Sequence, residues 1–211
     1  MDIFVFGTLR CETLRKIVLG RDISSDDICR ATIKDFRVYW AKEGPFPVMI
    51  PEPNSEVLGL VLKNLSEPDV ERLNYYELGF DYVLAPTYVE THAGQIQVSA
   101  YFCNRSDMAT SKLWSFDDWL SDHSEIQYLA AREFLDFFGT KFGDTAQVMY
   151  NSILKRSEVF VTVNSTPTRA LEIGPEMNKS IQVEDLKREY LGFFALNQVD
   201  LKYPFFDNSI S

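Results

Sequence analysis

A glycine and a hydroxyl residue close the first hydrophobic segment of the chain, and they are its earliest candidates for binding chemistry. Residues 3–6 form a predicted buried strand that runs into Gly7, Thr8 and Leu9, then into a helical pattern ending at Gly20. Such a turn exposes backbone N–H groups at a helix N-terminus, where a carboxylate or a phosphate is stabilised. The alternative is a plain connection in which Gly7 forms the turn and Thr8 caps the helix.

A single glutamate, Glu77, is the second candidate. It lies near the end of an amphipathic helical pattern over residues 66–78, and Tyr75, Tyr76 and Tyr82 are close to it in the sequence. A carboxyl group among aromatic side chains has its charged form disfavoured, so its pKa rises and it can transfer protons near neutral pH. The alternative is an exposed glutamate at the end of a helix.

The cysteines and histidines do not have the spacing of a metal site. Cys11, Cys29 and Cys103 lie far apart, and His92 and His123 are the only histidines in the sequence. No zinc-type pattern results. An odd number of widely separated cysteines favours reduced, buried thiols over disulfides. We therefore expect no metal, and a cytoplasmic location.

Composition and charge exclude several classes of protein. Of the 211 residues, 45% are hydrophobic and 25% are charged, which is the balance of a folded globular protein. The net charge of −10 argues against a broad nucleic-acid-binding surface, which needs clustered lysine and arginine. The N-terminus lacks the pattern of a signal peptide, and no apolar run approaches the roughly 18 residues typical of a membrane-spanning helix. We expect neither nucleic acid nor membrane as a partner.

The first half of the chain has the pattern of a small α+β unit. Ser66 is a predicted N-cap for the helix over 66–78. Residues 43–56 carry four of the nine prolines, which predicts an irregular connection. Strands are predicted at 3–6, 31–42 and 57–65, with a hairpin formed by 82–94 and 95–104. These strands could form a barrel, and the unit ends near residue 108.

The second half has a helical pattern and then a linker composition. A long amphipathic helix is predicted from Ser115 to Gly139, and a second helix over 144–160. Residues 162–180 are rich in Thr, Ser, Asn and Pro, as in a linker, and residues 181–206 have the pattern of two strands. The predicted domains are 1–108, a helical connector over 109–165, and a linker with strands over 166–211.

Four blocks in the first half resemble the γ-glutamylcyclotransferase-like, or AIG2-like, family. They are FVFGTLR, PFPVMIPEP, VLGLVLKNL and VERLNYYELGFDYVLAPTYVE, which follow the order and spacing of that family. Pro47 and Pro51 match the prolines of its middle segment. The resemblance implies an α+β fold, a small mixed β-barrel with flanking helices, over residues 1–108.

The resemblance also implies a reaction and the residues that perform it. The loop Phe6-Gly7-Thr8-Leu9 would bind the substrate largely through backbone amides, Glu77 would be the acid/base, and Tyr82 matches the aromatic residue after that glutamate. The implied substrate is a small γ-glutamyl compound, whose α-amino group attacks its own γ-carbonyl and releases 5-oxoproline and an amine. This chemistry implies no cofactor.

Two residues depart from the family pattern. Phe6 stands where the family usually has a tyrosine, and Asn74 stands where it has an aspartate. These differences keep a second interpretation open, in which the chain is a non-catalytic module that binds a small anionic metabolite.

Residues 188–211 resemble the first strands of a Nudix hydrolase of the ADP-ribose pyrophosphatase type. The stretch from Tyr190 to Leu196 and the pair Phe206-Asp207 carry this resemblance, while the glutamate-rich helix that binds Mg²⁺ in such enzymes is absent. The resemblance implies a truncated cyclotransferase–Nudix fusion without pyrophosphatase activity. The alternative is a pair of strands that packs on the helices or pairs between the subunits of a homodimer.

Overall fold

The structure is a computed structural model that describes residues 1–77, 82–139 and 146–165. The strands in these ranges are β1 (Ile3–Val5), β2 (Ile28–Ala41), β3 (Pro47–Leu62), β4 (Tyr82–Thr91), β5 (Gly94–Cys103) and β6 (Ala109–Leu113). The α-helices are α1 (Glu12–Leu19), α2 (Glu67–Glu77), α3 (Phe116–Asp122), α4 (Ser124–Leu135) and α5 (Ala146–Ser165). None of the helices within the described ranges is long and apolar enough to cross a membrane.

Five of the strands close into a mixed β-barrel. The strands follow the order β3-β1-β5-β4-β2, and a further pairing of β2 with β3 closes the ring, while β6 adds to the outside of β2. The pairing of β1 with β5 is parallel, with Ile3 opposite Ser99, and the other pairings in the ring are antiparallel. The predicted α+β barrel with flanking helices is confirmed.

The short strand β1 separates the two hydrophobic cores of the protein. Side chains alternate across a strand, so Phe4 points into the barrel interior, while Ile3 and Val5 point to the opposite side. There they pack in a core built largely from the helices, which includes Leu14 of α1. All three residues of β1 are buried, as expected of a central strand covered on both faces.

The prediction of an irregular connection over 43–56 was wrong, because β3 begins at Pro47 and continues through Pro51 and Pro53. A proline cannot donate to a strand partner and is tolerated where one side of the strand is open. Over this stretch β3 pairs with β2 alone, because its pairing with β1 is confined to residues 60–62. A register shift between Lys34 and Phe36 of β2 accommodates the irregularity.

The single long helix predicted from Ser115 to Gly139 is two helices, α3 and α4, separated at His123. Ser115 caps α3 by accepting a hydrogen bond from the backbone N–H of Asp118 at 3.2 Å. No glycine or proline marks the break. The ring of His123 packs edge-on against Trp40, with centroids 5.5 Å apart. Tertiary packing therefore places an interruption that helical periodicity alone did not reveal.

Other predicted elements are close to their observed positions. Ser66 caps α2, since its hydroxyl oxygen accepts from the backbone N–H of Asp69 at 3.4 Å. Gly20 ends α1 in the left-handed region with φ of 72°. The hairpin of β4 and β5 is confirmed. The predicted second connector helix is α5, which extends to Ser165 and so includes the start of the predicted linker.

The chain divides into two compact units, Met1–Glu158 and Val159–Ser211. The interactions described below belong to the first. The predicted linker and strands of 166–211, with their resemblance to the start of a Nudix domain, lie outside the described residues. The predicted domain boundaries at 108 and 165 stay predictions.

Candidate active site

The loop after β1 is a tight turn made of main-chain hydrogen bonds. Residues Thr8–Arg10 form one turn of 3-10 helix, in which the N–H of Arg10 donates to the carbonyl of Gly7 at 3.0 Å. The N–H of Cys11 donates to the carbonyl of Thr8, also at 3.0 Å, and Cys11 precedes α1. Thr8 therefore begins a separate turn and is not the cap of α1. The first N–H groups of a helical turn have no partner within it, so the loop offers donors to a ligand.

Gly7 is required here by the close approach of a neighbouring strand. A Cβ atom at Gly7 would lie 2.4 Å from Cγ of Pro47, the first residue of β3. The carbonyl of Pro47 in turn accepts a hydrogen bond from the hydroxyl of Tyr82, at the start of β4. Tyr82 thus fixes the strand against which the loop packs. Gly7 and Tyr82 therefore both contribute to the packing of the loop against β3.

A buried arginine supports the loop from α1. The Nη1 group of Arg15 donates to the carbonyl oxygens of Leu9 at 3.1 Å and Arg10 at 2.5 Å. Burial lowers the pKa of Arg15, although a guanidinium remains charged at physiological pH. Sequence reasoning did not identify Arg15. Its position directly after Leu14 on the buried face of α1 was the available signal, because a long cation there needs acceptors inside the fold.

A cleft opens beside this loop and contains every residue that the sequence assigned to the site. The cleft is partly open to solvent. Its lining includes Phe6, Gly7, Thr8, Leu9, Glu77, Tyr82, Pro47, Tyr76, Tyr101 and Gln127. The structure brings the predicted residues together, and the catalytic and binding roles assigned to them stay predictions.

Glu77 ends α2 and is the acidic group of the cleft. Burial of its carboxyl group raises its pKa to about 8, although the side chain as a whole keeps partial exposure. Its charge is close enough to raise the pKa values of Tyr82, Tyr101 and Tyr150, for which burial is the larger cause. Glu77 can therefore hold or release a proton near neutral pH, which suits an acid/base.

The two departures from the family pattern have different surroundings. Phe6 is buried in the barrel core, where its ring centroid lies 6.5 Å from that of Phe4. Asn74 accepts a hydrogen bond through Oδ1 from the hydroxyl of Tyr101 at 2.7 Å. Because Tyr101 lines the cleft and Asn74 does not, Asn74 orients a group of the site from outside the cleft.

The cleft also has a wall that sequence reasoning missed. The hydroxyl of Tyr76 lies near Thr8 and near Tyr150 of α5. The rings of Tyr76 and Tyr150 pack edge-on, with centroids 6.3 Å apart. Nε2 of Gln127, on α4, donates to the hydroxyl oxygen of Tyr150 at 3.5 Å. We call Tyr76, Glu77 and Gln127, backed by Tyr150, the helical wall. A signal existed for Gln127, because it occupies the buried stripe of α4 that continues through Ala130, Ala131 and Phe134.

Within residues 1–77, 82–139 and 146–165, no three His, Cys, Asp or Glu side chains gather in a group that could hold a metal ion.

Comparison with known proteins gives one family and a set of plant relatives. The family model described as "Gamma-glutamyl cyclotransferase, AIG2-like" matches residues 3–121, more than half of the chain. "AIG2-like protein B" of Arabidopsis thaliana is 26% identical over 138 residues, covering 64% of this chain and 78% of that protein. "AIG2-like protein C" of the same plant is 24% identical over 137 residues, with the same two coverages.

Solved structures show more distant likeness. A solution structure of an Arabidopsis thaliana protein has a TM-score of 0.45 and 22% identity, covering 65% of this chain and 87% of that one. A structure titled "Gamma-glutamyl cyclotransferase" has a TM-score of 0.41 and 14% identity, covering 89% of this chain and 98% of its own.

Proposed function

This chain belongs to the γ-glutamyl cyclotransferase, AIG2-like family, and we propose that it converts a γ-glutamyl compound to 5-oxoproline and a free amine. Glu77 carries the proposal. Its carboxyl group has a pKa of about 8 and lies in a cleft bordered by the backbone of the loop after β1. A proton carrier and a set of main-chain donors are the two components that this reaction needs.

The loop Phe6-Gly7-Thr8-Leu9 binds the anionic part of the substrate in this proposal. The residues of this loop line the cleft, and the contact between Gly7 and Pro47 fixes the path of the chain. Arg15 holds the carbonyl groups of Leu9 and Arg10 on the other side. The loop is thereby preorganised to hold the α-carboxylate or the oxyanion that develops on the γ-carbonyl.

Glu77 moves the protons. The carboxylate takes one proton from the α-ammonium group, and the resulting amine nitrogen attacks the γ-carbonyl carbon to form the ring C–N bond. The bond between the γ-carbon and the leaving nitrogen then breaks. The proton on Glu77 passes to the leaving nitrogen, which restores the carboxylate. That carboxylate then takes the extra proton of the ring nitrogen and passes it to the released amine, so the products are 5-oxoproline and an ammonium ion and Glu77 ends as a carboxylate. No change of oxidation state occurs.

The raised pKa of Glu77 favours the reactive form of the substrate. Burial disfavours an ammonium–carboxylate ion pair relative to a neutral amine and a neutral carboxylic acid. Only the neutral amine has the lone pair required for attack. Because both reacting groups belong to one substrate, orientation alone contributes a large rate factor, with effective molarities of about 10⁵ M or more in favourable cases.

The proposal is tested by 5-oxoproline release from a panel of γ-glutamyl amines and dipeptides. Wild type should form product from at least one of them, and Glu77→Gln should lose activity by about 10³-fold. Glu71→Gln is the matched control, because Glu71 is an exposed glutamate on the same helix. Unchanged turnover in Glu77→Gln would remove the assigned role.

A second candidate function is a non-catalytic module that binds a small anionic metabolite. The phenylalanine at position 6 favours it, because this side chain lines the cleft without supplying a hydroxyl group. A folded wild type that releases no 5-oxoproline from any compound of the panel would support this candidate. The expected cytoplasmic location, homodimer and Nudix remnant stay predictions.

A further inference from the structure

The amide oxygen of Gln127 is buried and makes no hydrogen bond to the described residues. The side chain is 1% exposed and lines the cleft. Its Nε2 group donates to the hydroxyl oxygen of Tyr150 at 3.5 Å, whereas its Oε1 atom is buried and has no hydrogen-bond partner among the residues described. Gln127 lies on α4, beyond the part of the chain that matches the family model.

An unpaired Oε1 atom at Gln127 destabilises the folded protein unless a ligand donates a hydrogen bond to it. A glutamine amide offers one acceptor oxygen and two N–H donors. Leaving a buried polar atom unpaired destabilises the folded state, so native proteins rarely keep one without a reason. Gln127 also occupies a stripe of α4 where its neighbours Ala130, Ala131 and Phe134 are apolar and buried. An apolar residue of similar length would pack there without this cost.

The cleft that Gln127 lines is rich in acceptors. The hydroxyl protons of two cleft tyrosines are engaged inside the protein, since Tyr82 donates to the carbonyl of Pro47 and Tyr101 donates to Asn74. Glu77 adds a carboxyl group to the same cleft. The N–H donors, by contrast, belong to the loop after β1. A ligand with a carboxylate at one end and an ammonium nearby matches this division.

We propose that Oε1 of Gln127 accepts a hydrogen bond from the α-ammonium group of the substrate, and that Gln127 selects ligands carrying that group. An ammonium has several N–H donors, so Glu77 and Gln127 can each accept one of them. Gln127 is then a specificity residue on α4, a helix that follows residues 3–121, the part of the chain that matches the family model. The identity of the substrate rests on the proposed function; the recognition of an α-ammonium group is tested separately.

Two sulfones that cannot cyclise provide the test. In L-methionine sulfone the sulfonyl group stands in the position of the γ-carbonyl, and the α-ammonium is present. In 4-(methylsulfonyl)butanoic acid the same chain lacks only that ammonium. Calorimetric titration of the full chain with each compound measures the discrimination, and neither compound requires catalysis. The same titrations are repeated with Gln127→Leu.

Wild type should bind the aminated sulfone at least about 10-fold more tightly than the other, since hydrogen bonds to charged groups are among the stronger ones. Gln127→Leu should lose most of this preference and keep its affinity for the sulfone without the ammonium. Its melting temperature should equal or exceed that of wild type, because the unpaired oxygen is removed. A merely structural glutamine would change the melting temperature without changing the preference.

Ser124→Ala is the matched control, because Ser124 is a buried polar residue on the same helix whose hydroxyl donates to the carbonyl of Leu120 at 2.6 Å. It should keep the full preference. If Gln127→Leu does not fold, Gln127→Met replaces it, since methionine is unbranched and of similar length.

Equal binding of the two sulfones to wild type, no binding of the aminated one, or an unchanged preference in the Gln127 variant would overturn the proposal. Failure of the cyclotransferase reaction has a different signature. In that case no 5-oxoproline is released from the panel, while the preference for the aminated sulfone and its dependence on Gln127 are retained.

Discussion

The loop after β1 and the helical wall face the same cleft but are built by opposite means. The loop presents main-chain groups, and its path depends on the contact of Gly7 with Pro47 and on Arg15, which holds two carbonyl groups. The helical wall presents side chains, and its chemistry depends on burial, as the pKa of Glu77 shows. Substitutions that add volume should therefore disturb the loop most. Substitutions that change the polarity of a side chain should have their main effect in the helical wall.

A substitution that adds volume to the loop should have the largest effect on folding. Gly7→Val places its Cβ within 2.4 Å of Pro47 Cγ, and overpacking of this kind destabilises by about 3 kcal/mol. Urea unfolding measures the change. Adding Pro47→Ala removes the clashing atom and should restore part of the loss. No recovery in the double variant would show that the contact with Pro47 is not what requires a glycine.

A substitution that changes only polarity in the helical wall should stabilise the protein, whereas added volume in the loop destabilises it. Burial raises the pKa of Glu77 from 4.5 to about 8. Between these values the folded state binds more protons than the unfolded state, so the free energy of unfolding falls as the pH rises. Glu77→Gln removes this dependence and should be the more stable protein at pH 9, by on the order of 3 kcal/mol with partial exposure taken into account.

Melting temperatures of wild type and Glu77→Gln, recorded from pH 5 to pH 9, check this prediction. The advantage of the variant should grow from pH 5 to about pH 8 and then level off, because above that pH the carboxyl group is ionised in both the folded and the unfolded states. A constant difference would mean that the carboxyl group titrates alike in the folded and unfolded states.

Removing the hydroxyl of Tyr82, which supports the strand behind the loop, should have a smaller effect on the free energy of unfolding. Tyr82→Phe deletes the donor to the carbonyl of Pro47, which should lower the free energy of unfolding by about 1 kcal/mol. Affinity for ligands should fall as well, because the strand that supports Gly7 is less firmly held. Tyr88→Phe, an exposed tyrosine on the same strand, should have no comparable effect in urea unfolding or ligand titration.

The smallest effect is expected at Asn74, which is exposed and acts on the wall through Tyr101. Asn74→Asp keeps an acceptor for the tyrosine but adds a negative charge near Glu77, which disfavours the charged carboxylate. The pKa of Glu77 should rise only slightly, because solvent and salt screen the added charge. The pH dependence of 5-oxoproline formation measures the shift, and a displacement toward lower pH would contradict the prediction.

The loop and Glu77 could be predicted from the sequence because their signals are local. Gly7 follows a short apolar strand, and Glu77 ends a capped helix rich in tyrosine. Arg15 and Gln127 could not be placed in the same way. Their roles depend on which carbonyl groups or cavities the fold brings near them, and a polar residue in an apolar stripe indicates only that some partner is needed.

The prediction of secondary structure has the same limit, because some elements depend on tertiary contacts. The barrel was predictable from the order of its strands, whereas the proline-rich start of β3 was not, because its tolerance of Pro51 depends on an open strand edge. The break at His123 likewise follows from packing against Trp40 and from no local breaker.

The position of β1 has a consequence for how the protein assembles during synthesis. Both neighbours of this strand are distant in sequence, because it pairs with residues 60–62 of β3 and with Ser99 and Ala100 of β5. Contacts over such separations form slowly, since the entropy of closing the intervening chain opposes them. This strand is thus synthesised before both of its partners and is among the last to reach its final place. Until Ala100 has been synthesised, β1 lacks one of its two neighbouring strands.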